Sequence, residues 1–328
     1  MTDVMKQYLD LVRHVLSTGT RKENRMGTDS LSTFGYYYEH DLCNGFPLLT
    51  TKKINWKNIV IELLWFLSGS NRSGFLDRHG CGFWKPWYNK PGPFLENPND
   101  GAVVNAAYGP AWRRFEYPIH CDPDSWESCD DTPYLGHFDQ VEWVVDRLKS
   151  YPMSRDMVVS AWQPHIATRP PSNNTYWAPC HCMWILNVQN KSTPDDTGRR
   201  LCLHLTQRSG DVAIGVPYNI ASYALLCSIL ARLAGMEPGI FGHTLVDAHI
   251  YTAKPDGSQA EFDHVPGLMR QLDREPRSLP ILHIDDSIRT LEDVETLLHP
   301  SVTTDEIMSK FVLEGYDPWP AISFRVAV

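Results

Sequence analysis

A cysteine at the centre of segment 178–182 (APCHC) is the first candidate for covalent chemistry. A cysteine attacks an electron-poor carbon as its thiolate, so a nucleophilic Cys180 needs a cation, hydrogen-bond donors or a helix N-terminus beside it. Taken alone, a cysteine is more often a small buried apolar residue. Cys180 and Cys182 could also offer two sulfurs to a metal. No second pair of ligands follows at zinc spacing, so the sequence predicts no metal site.

Two arginines and an asparagine could bind a charged or polar ligand. Arg208 and Ser209 follow an alternating apolar strand, and a guanidinium beside a hydroxyl can hold a phosphate. A solvated ion pair between Arg208 and Asp211 explains these residues equally well. Arg25, on local grounds, is an arginine on a surface loop. Asn219 begins an apolar helix and is an N-cap on the simplest interpretation, although its amide could also read a base edge with one donor and one acceptor.

Three further polar residues stand in apolar surroundings. Glu62 lies within segment 61–66 (IELLWF). If it is buried, its carboxyl must be paired or have a raised pKa, as general acids and bases do; otherwise it lies on the polar face of a helix. His249 and Tyr251 alternate along an extended segment, so both side chains point to the same side. They could hold one hydroxyl-bearing ligand, or they could simply be satisfied on a strand face.

Apolar periodicity predicts the elements that must position these residues. We expect helices at 1–17, 56–67, 139–150 and 220–233. We expect strands at 31–38, 157–162, 183–189 and 201–207, the last with leucines at alternate positions. Loops are expected at 91–100, 116–136, 168–176 and 190–200.

The arrangement of these elements indicates the fold class. Strands without a regular strand–helix–strand alternation favour an α+β fold built on one large mixed or antiparallel sheet with packed helices. No linker or repeat divides the chain. We therefore predict a single domain over residues 1–328, with loop insertions near 91–104, 116–137 and 168–176.

Composition excludes several classes of protein. The chain has 328 residues, of which 42% are hydrophobic and 21% charged, and this excludes a disordered chain. A net charge of −9 does not favour a DNA-binding protein. No stretch reaches the roughly 20 apolar residues of a membrane span, and the N-terminal residues carry neither a secretory nor a transit signature. We expect a cytoplasmic protein without membrane partners, in which most of the eight cysteines are free thiols.

Together these clusters resemble the thymidylate synthase family, folate-dependent enzymes with a cysteine nucleophile that also include the pyrimidine hydroxymethylases. The matching segments stand in family order: 25–28 (RMGT), 45–53 (GFPLLTTKK), 62–69 (ELLWFLSG), 159–162 (VSAW), 178–181 (APCH), 207–211 (QRSGD), 215–223, 274–277 (REPR) and 314–318 (EGYDP). Their order is specific for the family, though not for the reaction. The resemblance implies a thymidylate-synthase-like fold and a homodimer formed through the face of the sheet.

The resemblance also assigns roles to the candidate residues. Cys180 would add to C6 of a uracil nucleotide and make C5 nucleophilic toward 5,10-methylene-tetrahydrofolate. The nucleotide would be bound by Arg25, Arg208, Ser209, Asn219, His249 and Tyr251, with Arg155 from the second subunit at the phosphate. Glu62, Tyr108, His181 and Asp211 would act with Cys180 and Asn219 in catalysis. The folate would be bound by Trp84, Trp87, Trp177, Asp211, Gly215, Tyr218 and Val328.

The amide at position 219 favours dUMP over dCMP, because cytosine-specific members of the family commonly carry aspartate there. Three departures bear on the reaction. Asp156 stands where the family usually has a second arginine, Trp177 replaces a small aliphatic residue, and segment 105–107 (NAA) is unusual. They leave open a dUMP 5-hydroxymethylase, or more remotely a dCMP or CMP hydroxymethylase, in which water replaces hydride. An inactive nucleotide- or RNA-binding relative is the third interpretation.

Overall fold

The structure of the protein is a computed structural model that describes residues 4–24, 27–89, 101–104, 108–119, 134–164, 178–190 and 198–326. Several predicted features lie outside the described residues. They are Arg25, Trp177, Val328, segment 105–107, the loops 91–100 and 168–176, and the middle of loop 116–136.

The strands in chain order are β1 (Thr20–Glu23), β2 (Asp29–Asp41), β3 (Tyr88–Asn89), β4 (Val103–Val104), β5 (Phe115–Ile119), β6 (Tyr134–Phe138), β7 (Val158–Ser160), β8 (His181–Asn190), β9 (Arg199–Gln207), β10 (Gly210–Asp211), β11 (Glu237–Thr252), β12 (Ile281–Ile284) and β13 (Phe311–Glu314). Seven of them form one mixed sheet in the order β1–β2–β11–β9–β8–β7, with β10 beside β11. The pairs β11–β9 and β10–β11 are parallel, and the other pairs in this sheet are antiparallel.

The helices are α1 (Val4–Thr18), α2 (Trp56–Leu67), α3 (Gly74–Arg78), α4 (Tyr108–Arg113), α5 (Gln140–Ser150), α6 (Gly215–Leu233), α7 (Val265–Leu272), α8 (Leu291–Thr296) and α9 (Thr304–Ser309). They confirm the predicted α+β class. By length and composition α6 could cross a membrane, which the sequence analysis did not recognise. However, 83% of its apolar window is buried, because α6 packs against β9 and β11 as a core helix.

The predicted periodicities hold where one face of an element is buried. Helix α2 has the predicted bounds, and Asn55 caps it by accepting a hydrogen bond from the backbone N–H of Asn58 at 3.2 Å. In β9 the leucines face the core, whereas Cys202 and His204 lie half-buried on the opposite face. Strands β8 and β9 begin earlier than predicted, and β7 is shorter than predicted.

Two predictions about element boundaries are wrong. Helix α6 begins at Gly215, with Ile214 as its N-cap, so Asn219 lies within the helix and is not the cap. Proline is tolerated in the first helical turn, so Pro217 does not delay the start of the helix. The ends of the predicted loop 116–136 form the β5–β6 hairpin. The aromatic side chains at positions 117 and 138 of this hairpin are more than 40% exposed. A hairpin that buries so little surface has no regular apolar pattern in its sequence to predict it.

Candidate active site

Strands β8 and β9 bring Cys180 next to Arg208. His181 pairs with Gln207, and the backbone N–H of Arg208 donates to the carbonyl oxygen of Cys180 at 2.9 Å. The Arg208 guanidinium donates to the carbonyls of the two residues before Cys180, at 2.9 and 2.6 Å. These bonds hold Arg208 Nη2 3.8 Å from the Sγ atom of Cys180. A fixed positive charge at this distance favours the thiolate, the nucleophilic form of cysteine.

An aromatic pair, Tyr108 and His181, lies beside Cys180. The Tyr108 hydroxyl accepts a hydrogen bond from the backbone N–H of Cys180 at 3.2 Å, and its ring stacks on His181 with centroids 4.5 Å apart. Burial raises the pKa of Tyr108 and lowers the pKa of His181 to about 3. His181 Nδ1 hydrogen-bonds with the hydroxyl of Tyr223 at 3.1 Å. Both Tyr108 and His181 are therefore neutral at physiological pH, and they can orient polar groups without adding charge.

Glu62 is buried, with 9% of its surface exposed, so the interpretation that places it on a polar helix face is wrong. The indole N–H of Trp84 donates to Glu62 Oε1 at 2.7 Å. Burial raises the pKa of Glu62 to about 7, although the hydrogen bond from Trp84 favours the charged form. The ring of Trp84 also contacts the ring of Tyr108 edge-on, with centroids 6.2 Å apart. This contact links Glu62 to the cysteine cluster, which consists of Cys180, Arg208, Tyr108 and His181. A carboxyl that titrates near neutral pH can both take and give a proton.

The Asn219 side chain reaches the same cluster from the first turns of α6. Gln207 Nε2 donates to Asn219 Oδ1 at 3.1 Å, and Gln207 pairs with His181 across β9 and β8. Asn219 is therefore linked through Gln207 to the residue next to Cys180, and its amide can offer donor and acceptor groups to a polar ligand.

A second group of polar residues follows from the pairing of β10 with β11, which places Asp211 opposite His249. The rings of His249 and Tyr251 lie 5.2 Å apart, which confirms that they share one face of the strand. His249 Nδ1 lies 3.2 Å from an oxygen of Asp247. Ser209 directly follows Arg208, and its backbone carbonyl accepts a hydrogen bond from Gln207 Nε2 at 2.9 Å.

Asp211 organises the start of α6 rather than pairing with Arg208, so the solvated Arg208–Asp211 pair is wrong. Its Oδ1 accepts from the backbone N–H groups of Ala213 and Ile214, at 2.9 and 3.2 Å. Burial raises the pKa of Asp211, but the adjacent His264 outweighs this effect and keeps the carboxyl ionised. Of the predicted folate residues, Gly215 and Tyr218 lie in the first turns of α6, and Trp84 and Trp87 lie near Glu62. Gly215 begins α6, Tyr218 contacts the ring of a phenylalanine at 4.8 Å, and Trp84 meets Trp87 at 5.8 Å.

The sequence analysis missed two residues that fix the C-terminal segment near Asp211. His264 Nδ1 lies 3.8 Å from Asp211, and His264 Nε2 hydrogen-bonds with the carbonyl of Arg325 at 2.9 Å. The Lys52 ammonium lies 4.7 Å from the ring centroid of Phe324. No local signal marks either role, because the partners are more than 50 positions away in sequence.

Arg155 and Asp156 are not part of the cluster in this chain. Val158 pairs with Ile185 on β8. Ile185 is five residues from Cys180, which is about 16 Å at a strand rise of about 3.3 Å per residue. Arg155 lies beyond this pair and is exposed. Asp156 is bound to Arg147 at 2.8 Å, so its charge is already compensated. Among the described residues, no group of three or more acidic, histidine or cysteine side chains could hold a metal ion.

The family model for thymidylate synthase matches residues 6–328. The thymidylate synthase of Haloferax volcanii is 36% identical over 369 aligned positions, which cover 97% of this chain and 95% of that protein. The chain belongs to the thymidylate synthase family.

Proposed function

We propose that this protein transfers a one-carbon unit from 5,10-methylene-tetrahydrofolate to C5 of dUMP, producing dTMP and dihydrofolate. The observation that carries the proposal is the thiol of Cys180 held 3.8 Å from a guanidinium, with neutral Tyr108 and His181 beside it. Family membership supports the reaction class.

The chain's own residues account for the steps at the pyrimidine. The Cys180 thiolate adds to C6, and the C5–C6 π electrons move through C4 to O4. Asn219 donates to O4 as its negative charge develops, so C5 becomes nucleophilic. Glu62 takes and returns protons in this network, since its pKa near 7 suits both transfers. Once C5 has bonded to the one-carbon unit, its proton leaves to a base in this network, and expulsion of the Cys180 thiolate at the end restores the C5–C6 double bond.

The folate supplies the methylene carbon and then the hydride. The described residues suit such a ligand. Trp84, Trp87 and Tyr218 present aromatic surface beside Glu62, and the ionised Asp211 can accept hydrogen bonds from a pterin. The C-terminal segment, held by His264, is close enough to Asp211 to exclude water from the bound ligand.

Product analysis of one reaction mixture tests the proposal. Enzyme, dUMP and 5,10-methylene-tetrahydrofolate should yield dTMP, identified by mass, and an equal amount of dihydrofolate, identified by its near-ultraviolet absorbance. Hydroxymethyl-dUMP without dihydrofolate would assign the protein to the hydroxymethylases instead. Turnover of dCMP but not dUMP would show that Asn219 had been given too much weight. Failure to form an adduct with 5-fluoro-dUMP and the folate would favour an inactive binding protein.

Replacing Asn219 with aspartate should reverse the base preference. A carboxylate cannot donate to O4 of uracil but can accept from the N4 amino group of cytosine. We expect kcat/KM for dUMP to fall by about 10²-fold or more in Asn219→Asp, and dCMP to become the better substrate. Steady-state kinetics with both nucleotides measures this change. An unchanged ratio of the two kcat/KM values would remove Asn219 from base recognition.

The protein is further proposed to act as a homodimer through the outer face of the sheet. On this face the described structure exposes Phe34 (89%) and Tyr37 (53%) on β2 and Val158 (38%) on β7. A monomer would leave this apolar surface in water. Arg155 lies next to β7, at the edge of the same sheet, so a second subunit packed here could receive it at its phosphate site.

Mixing two inactive variants tests the shared site. Arg155→Ala and Cys180→Ala should each lose activity alone. Each mixed dimer would hold one complete site, so a randomly reassociated equimolar mixture should recover about a quarter of the wild-type activity. Activity of the mixture is measured after unfolding and refolding the two chains together. No recovery, with dimers confirmed by light scattering, would show that Arg155 serves its own chain or none.

A further inference from the structure

A chain of buried hydrogen bonds runs from Asn219 into the core. Gln207 Nε2 donates to Asn219 Oδ1 at 3.1 Å, and Gln207 Oε1 lies 3.0 Å from His243 Nε2. His243 Nδ1 lies 2.6 Å from the hydroxyl of Tyr38. Gln207, His243 and Tyr38 are each at most 5% exposed. None of them belongs to the groups that would touch the nucleotide.

The sheet aligns these side chains. Tyr38 on β2 pairs directly with His243 on β11. Gln207 on β9 pairs with Leu245, two positions from His243, so Gln207 and His243 are diagonal neighbours on one face. The hydrogen-bond chain formed by Tyr38, His243, Gln207 and Asn219 therefore crosses three adjacent strands and ends at α6.

The available donors and acceptors allow only one direction of donation along this hydrogen-bond chain. Gln207 Nε2 also donates to the backbone carbonyl of Ser209 at 2.9 Å, and a carbonyl can only accept, so the Gln207 amide cannot be reversed. Its Oε1 then needs a donor, which must be His243 Nε2–H. Burial holds the pKa of His243 well below its ordinary value, so the ring is neutral and Nδ1 must accept from Tyr38. The second hydrogen on Gln207 Nε2 makes Oδ1 the acceptor side of the Asn219 amide.

We propose that His243 and Tyr38 are specificity-determining positioning residues, which fix the Asn219 amide in the orientation that selects uracil over cytosine. The two ends of an amide are nearly equal in shape, so an unrestrained asparagine could turn to suit either base. With Oδ1 occupied by Gln207, the Nδ2 group is the donor side. That side matches the O4 acceptor of uracil and opposes the N4 amino group of cytosine. This inference rests on the proposed function, because it assumes that the pyrimidine binds beside Asn219.

Nucleotide binding by buried-core variants tests the proposal. Dissociation constants for dUMP and dCMP are measured by quenching of tryptophan fluorescence in wild type, His243→Leu, His243→Gln and Tyr38→Phe. We expect His243→Leu to reduce the preference for dUMP by roughly tenfold or more, since the amide loses its fixed direction. His243→Gln keeps an N–H donor for Gln207 and should retain most of the preference. Tyr38→Phe should lower it roughly threefold to tenfold, because His243 is then free to change tautomer.

Tyr8→Phe is the matched control. Tyr8 is a fully buried tyrosine whose hydroxyl donates to the Val212 carbonyl at 3.0 Å and is not part of the chain, so its loss should leave the ratio unchanged. Equal dUMP-to-dCMP ratios in wild type and folded His243→Leu would overturn the proposal. If His243→Leu does not fold, equal ratios in Tyr38→Phe and Tyr8→Phe would overturn it. A wild type that binds neither nucleotide would contradict the proposed function itself, and this inference with it.

Discussion

Replacing Cys180 with serine should reduce turnover of dUMP by about 10⁴-fold or more, the largest effect that we expect from any single substitution. A serine hydroxyl is far less acidic than a thiol, so it is not ionised beside Arg208 and cannot add to C6. The backbone contacts of position 180 do not involve the sulfur, because the Cys180 N–H meets Tyr108 and its carbonyl meets Arg208. The fold should therefore survive. Steady-state kinetics and mass spectrometry of the 5-fluoro-dUMP adduct measure the loss.

Cys182→Ser is the control for this experiment. Cys182 lies two residues along the same chain, is half-buried like Cys180, and donates its thiol to the Cys180 carbonyl at 3.8 Å. Burial raises the pKa of the Cys182 thiol, so its thiolate is disfavoured. Cys182→Ser should keep activity within about threefold of wild type and still form the adduct at Cys180. Comparable losses in the two variants would contradict the assignment of Cys180 as the nucleophile.

Replacing Glu62 with glutamine should lower kcat by about 10²–10⁴-fold and remove the limb of the pH profile near pH 7. Glutamine fills the same space and can still accept the indole hydrogen bond of Trp84, but it neither binds nor releases a proton. The dissociation constant for dUMP should change little, which separates a loss of proton transfer from a loss of binding. A pH–rate profile from pH 5 to 9 in both proteins measures this difference. If the variant keeps the wild-type limb, another group titrates there.

The same substitution should alter stability with a predictable sign. The pKa of Glu62 is raised in the folded protein, so the folded state holds its proton more tightly than the unfolded state does. Wild-type stability therefore falls as the pH rises from the unfolded carboxyl pKa of about 4.3 toward 7. Glu62→Gln has no such dependence. The melting temperature of the variant minus that of wild type should therefore be more positive at pH 8 than at pH 5. Thermal unfolding at the two pH values measures the gain, and an equal difference at both would show that Glu62 does not titrate on unfolding.

Some features of the site were predictable from the sequence because they depend on short periods. Alternation along β11 places His249 and Tyr251 on one face whatever else the chain does. The bounds of α2 follow from a strong apolar run and an asparagine cap. Elements that bury little gave no such signal, as in the β5–β6 hairpin, and the start of α6 was masked by residues that resemble a turn.

The sequence by itself determined the family and the types of residue around Cys180, the proposed nucleophile, because ordered motifs record chemistry that only certain side chains can do. Tertiary structure decided which protonation state and which partner each residue has. The pKa of Glu62 is raised to about 7 only because α2 is buried, and the charge of Asp156 is compensated only because Arg147 lies beside it. The direction of the Asn219 amide depends on Gln207 and His243, which the register of separate strands brings together. Burial and hydrogen-bond direction are properties of neighbours in space, and residues distant in sequence supply them.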